Sequence, residues 1–456
     1  MKKKKLKWYF LFILFLLCLF IIPTTFSKYA KSFNRKITIN VRKPQYQIAF
    51  NANPPLGRTV SGSMQNQQFT YGTAQNLNSN NFTITNCVFK GWNTKANGSG
   101  TSYTDGQSVN NLSSTDGYII NLYAQWDIYY DVTFDSDGGS SVASQTVLEN
   151  TNATKPADPT KTHYIFKGWQ LNGADYNFTT SVTGDITLKA KWEGISTVMT
   201  GANLSTKMKN LAGNSSASST SEDKNIKIIK KATEAEYEAI KNSLTSTNEI
   251  QIDGLKTYMW YNNNTIYCYS LADTVYMNAD SGNAFRKMTE LADISGLSIF
   301  DTSNVTDMNR MFLDSVKISS LSSLENWDVS NVKNMNYMFG ANYTSSTAPK
   351  MAFSDLTPLS NWDVSSVENM DSMFKMTNVS SVEPIKNWDV SKVTTFKQMF
   401  NRANLTTATS LSIWDPASAT TFEMMLANMG MSTSNMPIFT TRPGTWATNG
   451  TYTTTN

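Results

Sequence analysis

The feature that most constrains this chain is a motif that recurs down its C-terminal half, Trp327-Asp328-Val329-Ser330 leading to Met338-Phe339. Close copies run from Phe300-Asp301-Thr302-Ser303 to Met311-Phe312, from Trp362-Asp363-Val364-Ser365 to Met373-Phe374 and from Trp388-Asp389-Val390-Ser391 to Met399-Phe400. A degenerate copy covers 414–426. The anchor positions 300, 327, 362, 388 and 414 are spaced by 27, 35, 26 and 26 residues. A period in the twenties predicts an array of stacked units that share one core, and the long step holds an inserted loop at 342–353.

The unit can be read locally. Ser330 is placed to cap a helix, and Val332, Met335, Met338 and Phe339 then fall on one helical face. Ser365 and Glu368 have the spacing of a capping box. Apolar residues at spacing three, such as Ile318, Leu321, Leu324 and Trp327, lead into a short strand at Trp-Asp-Val. One strand and one short helix per unit is the leucine-rich-repeat plan, so an α/β solenoid is expected over 291–427. Its predicted core is Trp327, Val332, Met335, Met338, Phe339, Trp362, Met370, Met373, Phe374, Trp388, Met399 and Phe400. These units resemble the BspA-like leucine-rich-repeat surface-protein family. The resemblance implies an adhesin-like role without catalysis, and it carries no fixed ligand residues.

From 37 to 192 the chain turns to aromatic and β-branched residues punctuated by Gly, Asn and Asp, a pattern of strands and tight turns. Two units align within it. Tyr46-Gln47-Ile48-Ala49-Phe50 matches Tyr130-Asp131-Val132-Thr133-Phe134, and Phe89-Lys90-Gly91-Trp92 matches Phe166-Lys167-Gly168-Trp169. Leu122-Tyr123-Ala124-Gln125-Trp126 matches Leu188-Lys189-Ala190-Lys191-Trp192. The two units resemble the Listeria/Bacteroides (internalin B-type) repeats. That resemblance implies small β-grasp-like domains that display and space other modules at a cell surface, with weak binding to glycans or host factors.

The predicted organisation is therefore multi-domain. A signal peptide or N-terminal membrane anchor covers 1–27, and the β repeats cover 37–128 and 129–193. A Ser/Thr/Asn-rich linker takes 194–222, and an αβ N-terminal cap 223–290. The array follows, and a C-terminal cap takes 428–456. Within the αβ cap the sequence predicts a strand at 226–229, a helix over 233–243 capped by Thr233 and Glu236, and a hairpin over 258–269 turning at Asn262-Asn263-Asn264. A second helix is predicted over 279–291.

Charge and cysteine usage narrow the function. The net charge of +4 includes Lys2, Lys3, Lys4, Lys5 and Lys7, and without these five the rest carries −1. A near-neutral chain lacks the electrostatic footprint of a nucleic-acid binder. The lysines precede an apolar run from Trp8 to Ile22, which marks the chain for export; that segment is a cleaved leader or an anchor that holds the chain in the membrane. Charged residues are 16% of the whole, below the roughly 25% usual in globular domains, which suits an extracellular surface.

Cys87 and Cys268 lie in different modules, and no metal-ligand spacing is visible. His163, the chain's one histidine, stands without a nucleophile or acid in any recognisable motif. The phased methionines read as core filler. No enzyme activity, cofactor or metal is expected. Two functional classes remain: an adhesin-like binder of a host or neighbouring-cell surface protein or glycan, and a carbohydrate- or cell-wall-binding accessory protein.

Overall fold

The computed structural model describes residues 42–343, 345 and 347–454; the expected leader over 1–27 lies outside them. The chain forms two compact units. The first takes the described residues up to 131 with 146–153 and 180–185, and the second takes 132–145, 154–179 and 186 onward.

In the first unit the strand Gln45–Asn51 alternates strictly, with Tyr46, Ile48 and Phe50 buried, as a sheet with one packed face requires. It pairs antiparallel with Gln67–Thr70 and parallel with the start of Ile119–Asp135. Cys87–Asn93 pairs antiparallel with that same strand, and its register shifts between Phe89 and Gly91. The bulge explains the Phe-Lys-Gly-Trp motif. Residues three apart on a regular strand face opposite sides, but the extra residue returns Trp92 to the side of Phe89, and their rings meet edge-on at 5.0 Å. Gly91 adopts φ +147° at the bulge, a conformation essentially reserved for glycine. In the second unit Tyr164–Leu171 repeats the device against Ile186–Val198. The shift lies between Phe166 and Gly168, Gly168 has φ +129°, and the Phe166 and Trp169 rings lie 5.4 Å apart.

The expected linker over 194–222 is instead structured. Ile186–Val198 continues past the second repeat, pairing parallel with Thr274–Tyr276 and antiparallel with Gln251–Gly254. An α-helix then spans Gly201–Leu211. Val198, Leu204, Met208 and Ala212 are all buried; at i, i+4 and i+8 the last three form one stripe, which the polar composition conceals. Beyond it the strands Ile228–Lys231, Thr265–Ser270 and Thr257–Asn262 form a three-stranded sheet. Asn263 and Asn264 close the hairpin at φ +46° and +62°, the twisted turn that Asn tolerates. Thr233 and Glu236 form the reciprocal capping box, but the helix they cap covers only Glu234–Glu238.

The C-terminal array departs from the expected architecture. The protein is β-rich, not an α/β leucine-rich-repeat solenoid: the only α-helices among the described residues are Gly201–Leu211 and Glu234–Glu238, and none lies in the array. Among the described residues Phe300–Asp301 is the only strand there. Each copy is a coil of turns, with a short 3₁₀ helix such as Ser322–Leu324, Thr357–Leu359 or Glu383–Ile385 before each Trp-Asp pair.

The backbone shows why the helix fails. Arg310, Tyr337, Ser372, Gln398 and Met424 hold one equivalent position at φ between +52° and +57°, and a left-handed residue breaks a right-handed helix wherever it occurs. Ser330 and Ser365 do not cap helices either. The Asp328 carboxylate accepts from the Ser330 amide at 3.0 Å, and Asp363 accepts likewise from Ser365, so Asp-Val-Ser makes an Asx turn.

Successive coils are tied by a backbone ladder. The amides of Met308, Arg310, Phe312 and Asp314 donate to the carbonyls of Asn334, Asn336, Met338 and Gly340. Those of Met335, Tyr337, Phe339 and Ala341 donate in turn to Asn369, Asp371, Met373 and Lys375. The same four-bond register continues to Thr395 and Thr421, so these amides all point toward the next coil.

It also begins earlier than expected. Ser281, Asn283, Phe285 and Lys287 donate to Asp307, Asn309, Met311 and Leu313, so 279–287, predicted as helix, is the first coil. A column of rings fills the interior. Phe285, Phe312, Phe339, Phe374 and Phe400 stack with centroids 5.1, 5.5, 5.8 and 5.6 Å apart and planes within 19° of parallel. The strands Gly444–Trp446 and Tyr452–Thr454 close the far end, where Thr451 and Gly450 accept from the amides of Met424 and Leu426.

Candidate binding cleft and the exposed face of the array

The residues singled out by the repeat form the array's interior. Val332, Met335, Met338, Phe339, Met370, Met373, Phe374, Met399 and Phe400 have no exposed surface, and Trp327, Trp362 and Trp388 keep 6, 4 and 4% of theirs. The tryptophans also lock the stack. The indole N–H groups of Trp362, Trp388 and Trp414 donate to the carbonyls of Leu324, Leu359 and Ile385 one coil back, at 3.0, 3.0 and 3.2 Å. With both face and N–H committed inside, Trp362, Trp388 and Trp414 are not available as exposed glycan platforms, and burial alone removes Trp327.

The array shows to solvent the repeated aspartates of the Asx turns, such as Asp328, Asp363 and Asp389, together with positions that differ from coil to coil. At the left-handed position stand Arg310, Tyr337, Ser372, Gln398 and Met424; Ser372 is buried, and the partly exposed Arg310, Tyr337 and Gln398 form a polar ridge that ends at Met424. The Tyr337 ring has the Arg310 guanidinium 5.9 Å and the Lys375 ammonium 5.4 Å from its centroid. Lys375 also donates to the Tyr337 hydroxyl at 3.3 Å and to Gln398 Oε1 at 2.8 Å. Sequence periodicity could not reveal this ridge, because its members share a backbone conformation and no residue type.

A second candidate lies in the first β repeat, where a cleft of about 490 Å³ is bounded by Trp92, Trp126, Tyr103, Asn93, Gln107 and Gln125 with neighbouring backbone. Asn93 builds it. Almost wholly buried, its amide donates to the carbonyls of Gly98 and Gly100 and to the Ser102 hydroxyl, and its oxygen accepts from the Lys95 and Gly100 amides. One side chain thus folds the loop that forms a wall of the cleft.

The Trp126 indole donates to the Ala52 carbonyl at 2.9 Å and meets the Phe89 ring edge-on at 5.5 Å, which fixes its plane. Burial pushes the Tyr103 hydroxyl above its ordinary pKa, so it stays a proton donor at neutral pH. The lining's one charged side chain, Lys90, is paired with Asp127 at 3.1 Å.

The remaining candidates lie apart from both places. His163, at φ +65°, pairs with Asp253 at 3.2 Å. Cys87 and Cys268 are free thiols, and burial pushes Cys268 up to about 12. Among the described residues no group of three His, Cys, Asp or Glu side chains is placed to hold a metal ion. Nor is any described helix long and apolar enough to cross a membrane.

Comparison with known proteins bears on both halves. Residues 46–125 and 130–191 match the model of the Listeria-Bacteroides repeat domain. Residues 279–378 and 344–449 match a model described as Mycoplasma protein of unknown function, DUF285, and the second of these begins within the inserted loop. No leucine-rich-repeat family is among these matches. Two proteins of Evansella cellulosilytica are similar over shorter stretches. One, provisionally named a Gly-rich membrane protein, is 39% identical over 111 residues, 23% of this chain. The other, provisionally named a membrane protein, is 40% identical over 79 residues, 16% of this chain. The matched stretches span 12% of the length of each relative. The chain is a repeat protein in which two stretches that match the Listeria-Bacteroides repeat precede an array that matches a different family model.

Proposed function

We propose that the chain is a non-enzymatic, surface-associated binding protein, exported to the cell envelope and presenting its array to a protein or glycan on a host or neighbouring cell. The observation that carries this reading is the division of each coil. The repeated apolar side chains fill the interior, while Arg310, Tyr337, Lys375 and Gln398, at positions that differ from coil to coil, stand partly exposed on a common scaffold. A scaffold that fixes its core and frees its face suits recognition, since specificity then changes without loss of fold. The low charge of the chain, its lysine-plus-apolar start and the membrane-protein names of its relatives support the surface location. The second reading, a carbohydrate- or wall-binding accessory protein, is favoured by the aromatic cleft of the first repeat.

Brief treatment of intact cells with an external protease tests the location: full-length protein should disappear from the cells while a cytosolic marker survives. Binding of the purified full chain to intact neighbouring cells should fall on joint replacement of Arg310, Tyr337 and Lys375 by Ala. Full protection from the protease, or unchanged binding, argues against this reading.

A further inference from the structure

We propose that the cleft of the first repeat binds a neutral saccharide through Trp126, Tyr103, Gln107 and Gln125. The inference rests on the second reading above only for where the sugar is met; the chemistry is argued from the lining alone.

The cleft volume of about 490 Å³ lies within the roughly 300–1,000 Å³ of small-molecule sites. Its walls combine flat rings with uncharged donors and acceptors, and a sugar ring offers the counterpart to each, C–H faces for the rings and hydroxyls for the amides. Several of these polar groups are unspent. Gln107 Oε1 accepts from the Thr104 amide at 2.8 Å, which fixes the side chain and leaves its NH₂ without a protein partner. Gln125 donates through Nε2 to the backbone carbonyls of Ala96, Tyr123 and Ala124, and its Oε1 has no partner among the described residues. The Tyr103 hydroxyl makes no hydrogen bond among the described residues. Trp126 is already held in plane by Ala52 and Phe89, so little ordering is left to oppose binding.

Other ligand classes fit less well. No carboxylate lines the cleft and Lys90 is neutralised by Asp127, so neither a cation nor an acidic ligand finds a partner. A proline-rich peptide would use the rings and offer carbonyls to the Gln107 NH₂, but its prolines have no N–H to donate to Gln125 Oε1. The second repeat provides an internal contrast: the position of Gln125 is taken there by Lys191, paired with Asp175 at 3.4 Å. Trp169 and Trp192 lie 23 residues apart, against 34 between Trp92 and Trp126, so the wall-forming loop is shorter.

The test uses the full chain against an array of neutral glycans built from hexoses, pentoses and N-acetylhexosamines, with a proline-rich decapeptide alongside. Hits are titrated by tryptophan fluorescence. At least one glycan should give a saturable change. Tyr103→Phe, which removes one hydroxyl, and Gln125→Lys, which imports the residue of the second repeat, should each weaken it about five- to tenfold, as loss of one neutral hydrogen bond does. Unfolding midpoints are measured alongside so that a folding defect is recognised. Absence of any saturable glycan, unchanged affinity in both variants, or binding of the peptide alone overturns the proposal. Protease accessibility on intact cells is independent of all these outcomes, so the saccharide site can fail while the surface reading stands.

Discussion

The ammonium of Lys209 lies 2.7 Å from the carbonyl oxygen of Arg286, at the exposed-carbonyl end of the first coil. The ladder amides point toward later coils, so the opposite carbonyls gather at the start of the stack. A buried cation there plays the part a lysine plays at a helix C-terminus. Lys209 has no exposed surface, and it also donates to the carbonyls of Ser219 at 3.0 Å and Ser221 at 2.8 Å.

Burial pushes the Lys209 pKa down to about 8 from the 10.5 of a free side chain, against the opposing pull of Asp223. The folded chain therefore binds fewer protons than the unfolded chain between those values. Stability should rise with pH across that window, by at most roughly 1.4 kcal/mol per unit, and be flat in this respect below it. Lys209→Met should lose the rise. At neutral pH the carbonyls of Arg286, Ser219 and Ser221 lose their donor, a cost of about 1–3 kcal/mol that relief of the buried charge offsets in part. Urea midpoints of both proteins between about pH 7 and 10 test the slope by difference, which cancels other titrating groups.

Ser372 is buried at φ +57°, a conformation that costs an ordinary L-residue about 1–2 kcal/mol. Ser372→Gly removes that strain, offset by roughly 0.5–1 kcal/mol of added unfolded-state freedom, so it should leave stability level or raise it by up to about 1 kcal/mol. Ser372→Val, with a branched Cβ in the same conformation, should cost more than about 1 kcal/mol. Denaturant midpoints in the order Gly, Ser, Val are expected; Val at or above Ser would show that the left-handed turn is not what this position requires.

The phasing of the array and its interior side chains could be read from the sequence because burial depends on apolar spacing. The secondary structure could not, for a specific reason. Val332, Met335, Met338 and Phe339 point inward equally well from a helix or from successive three-residue turns, and only the backbone of Tyr337 decides between them. Arg, Tyr, Ser, Gln and Met at that column are not residues that announce a left-handed turn. The first coil was concealed because Ala284-Phe285 replaces Met-Phe; the signal present was Asp280 five residues ahead of Phe285, the interval that separates Asp307 from Phe312. The helix Gly201–Leu211 was hidden by composition, since three apolar residues suffice when all three are buried. In the first repeat the paired aromatic motifs were plain, but the cleft was not, because it depends on one amide, Asn93, reaching five partners across its own loop.

The two bulge glycines offer a matched pair. A Cβ at Gly91 would lie 2.8 Å from the Tyr103 carbonyl oxygen, whereas one at Gly168 would meet nothing within 4 Å. Both substitutions to Ala incur backbone strain of about 1–3 kcal/mol. Gly91→Ala must also push away the hairpin strand Ser102–Tyr103, so it should cost more and should disturb the cleft. Calorimetry of the two variants gives the comparison, and equal losses would mean that the close approach at Tyr103 is relieved without cost.

The repeated motif forms a continuous stacked interior built on a column of phenylalanines. Phe339 sits mid-column, stacked on Phe312 and Phe374, while Lys333 of the same coil is exposed. The most direct test is calorimetric unfolding of the full-length protein with Phe339→Ala or with Lys333→Ala. Phe339→Ala should cost about 3–5 kcal/mol, as large-to-small changes in a packed core do, and Lys333→Ala less than about 0.5 kcal/mol. Equal effects of the two, or a Phe339→Ala variant that unfolds at the native midpoint, would contradict the stacked interior.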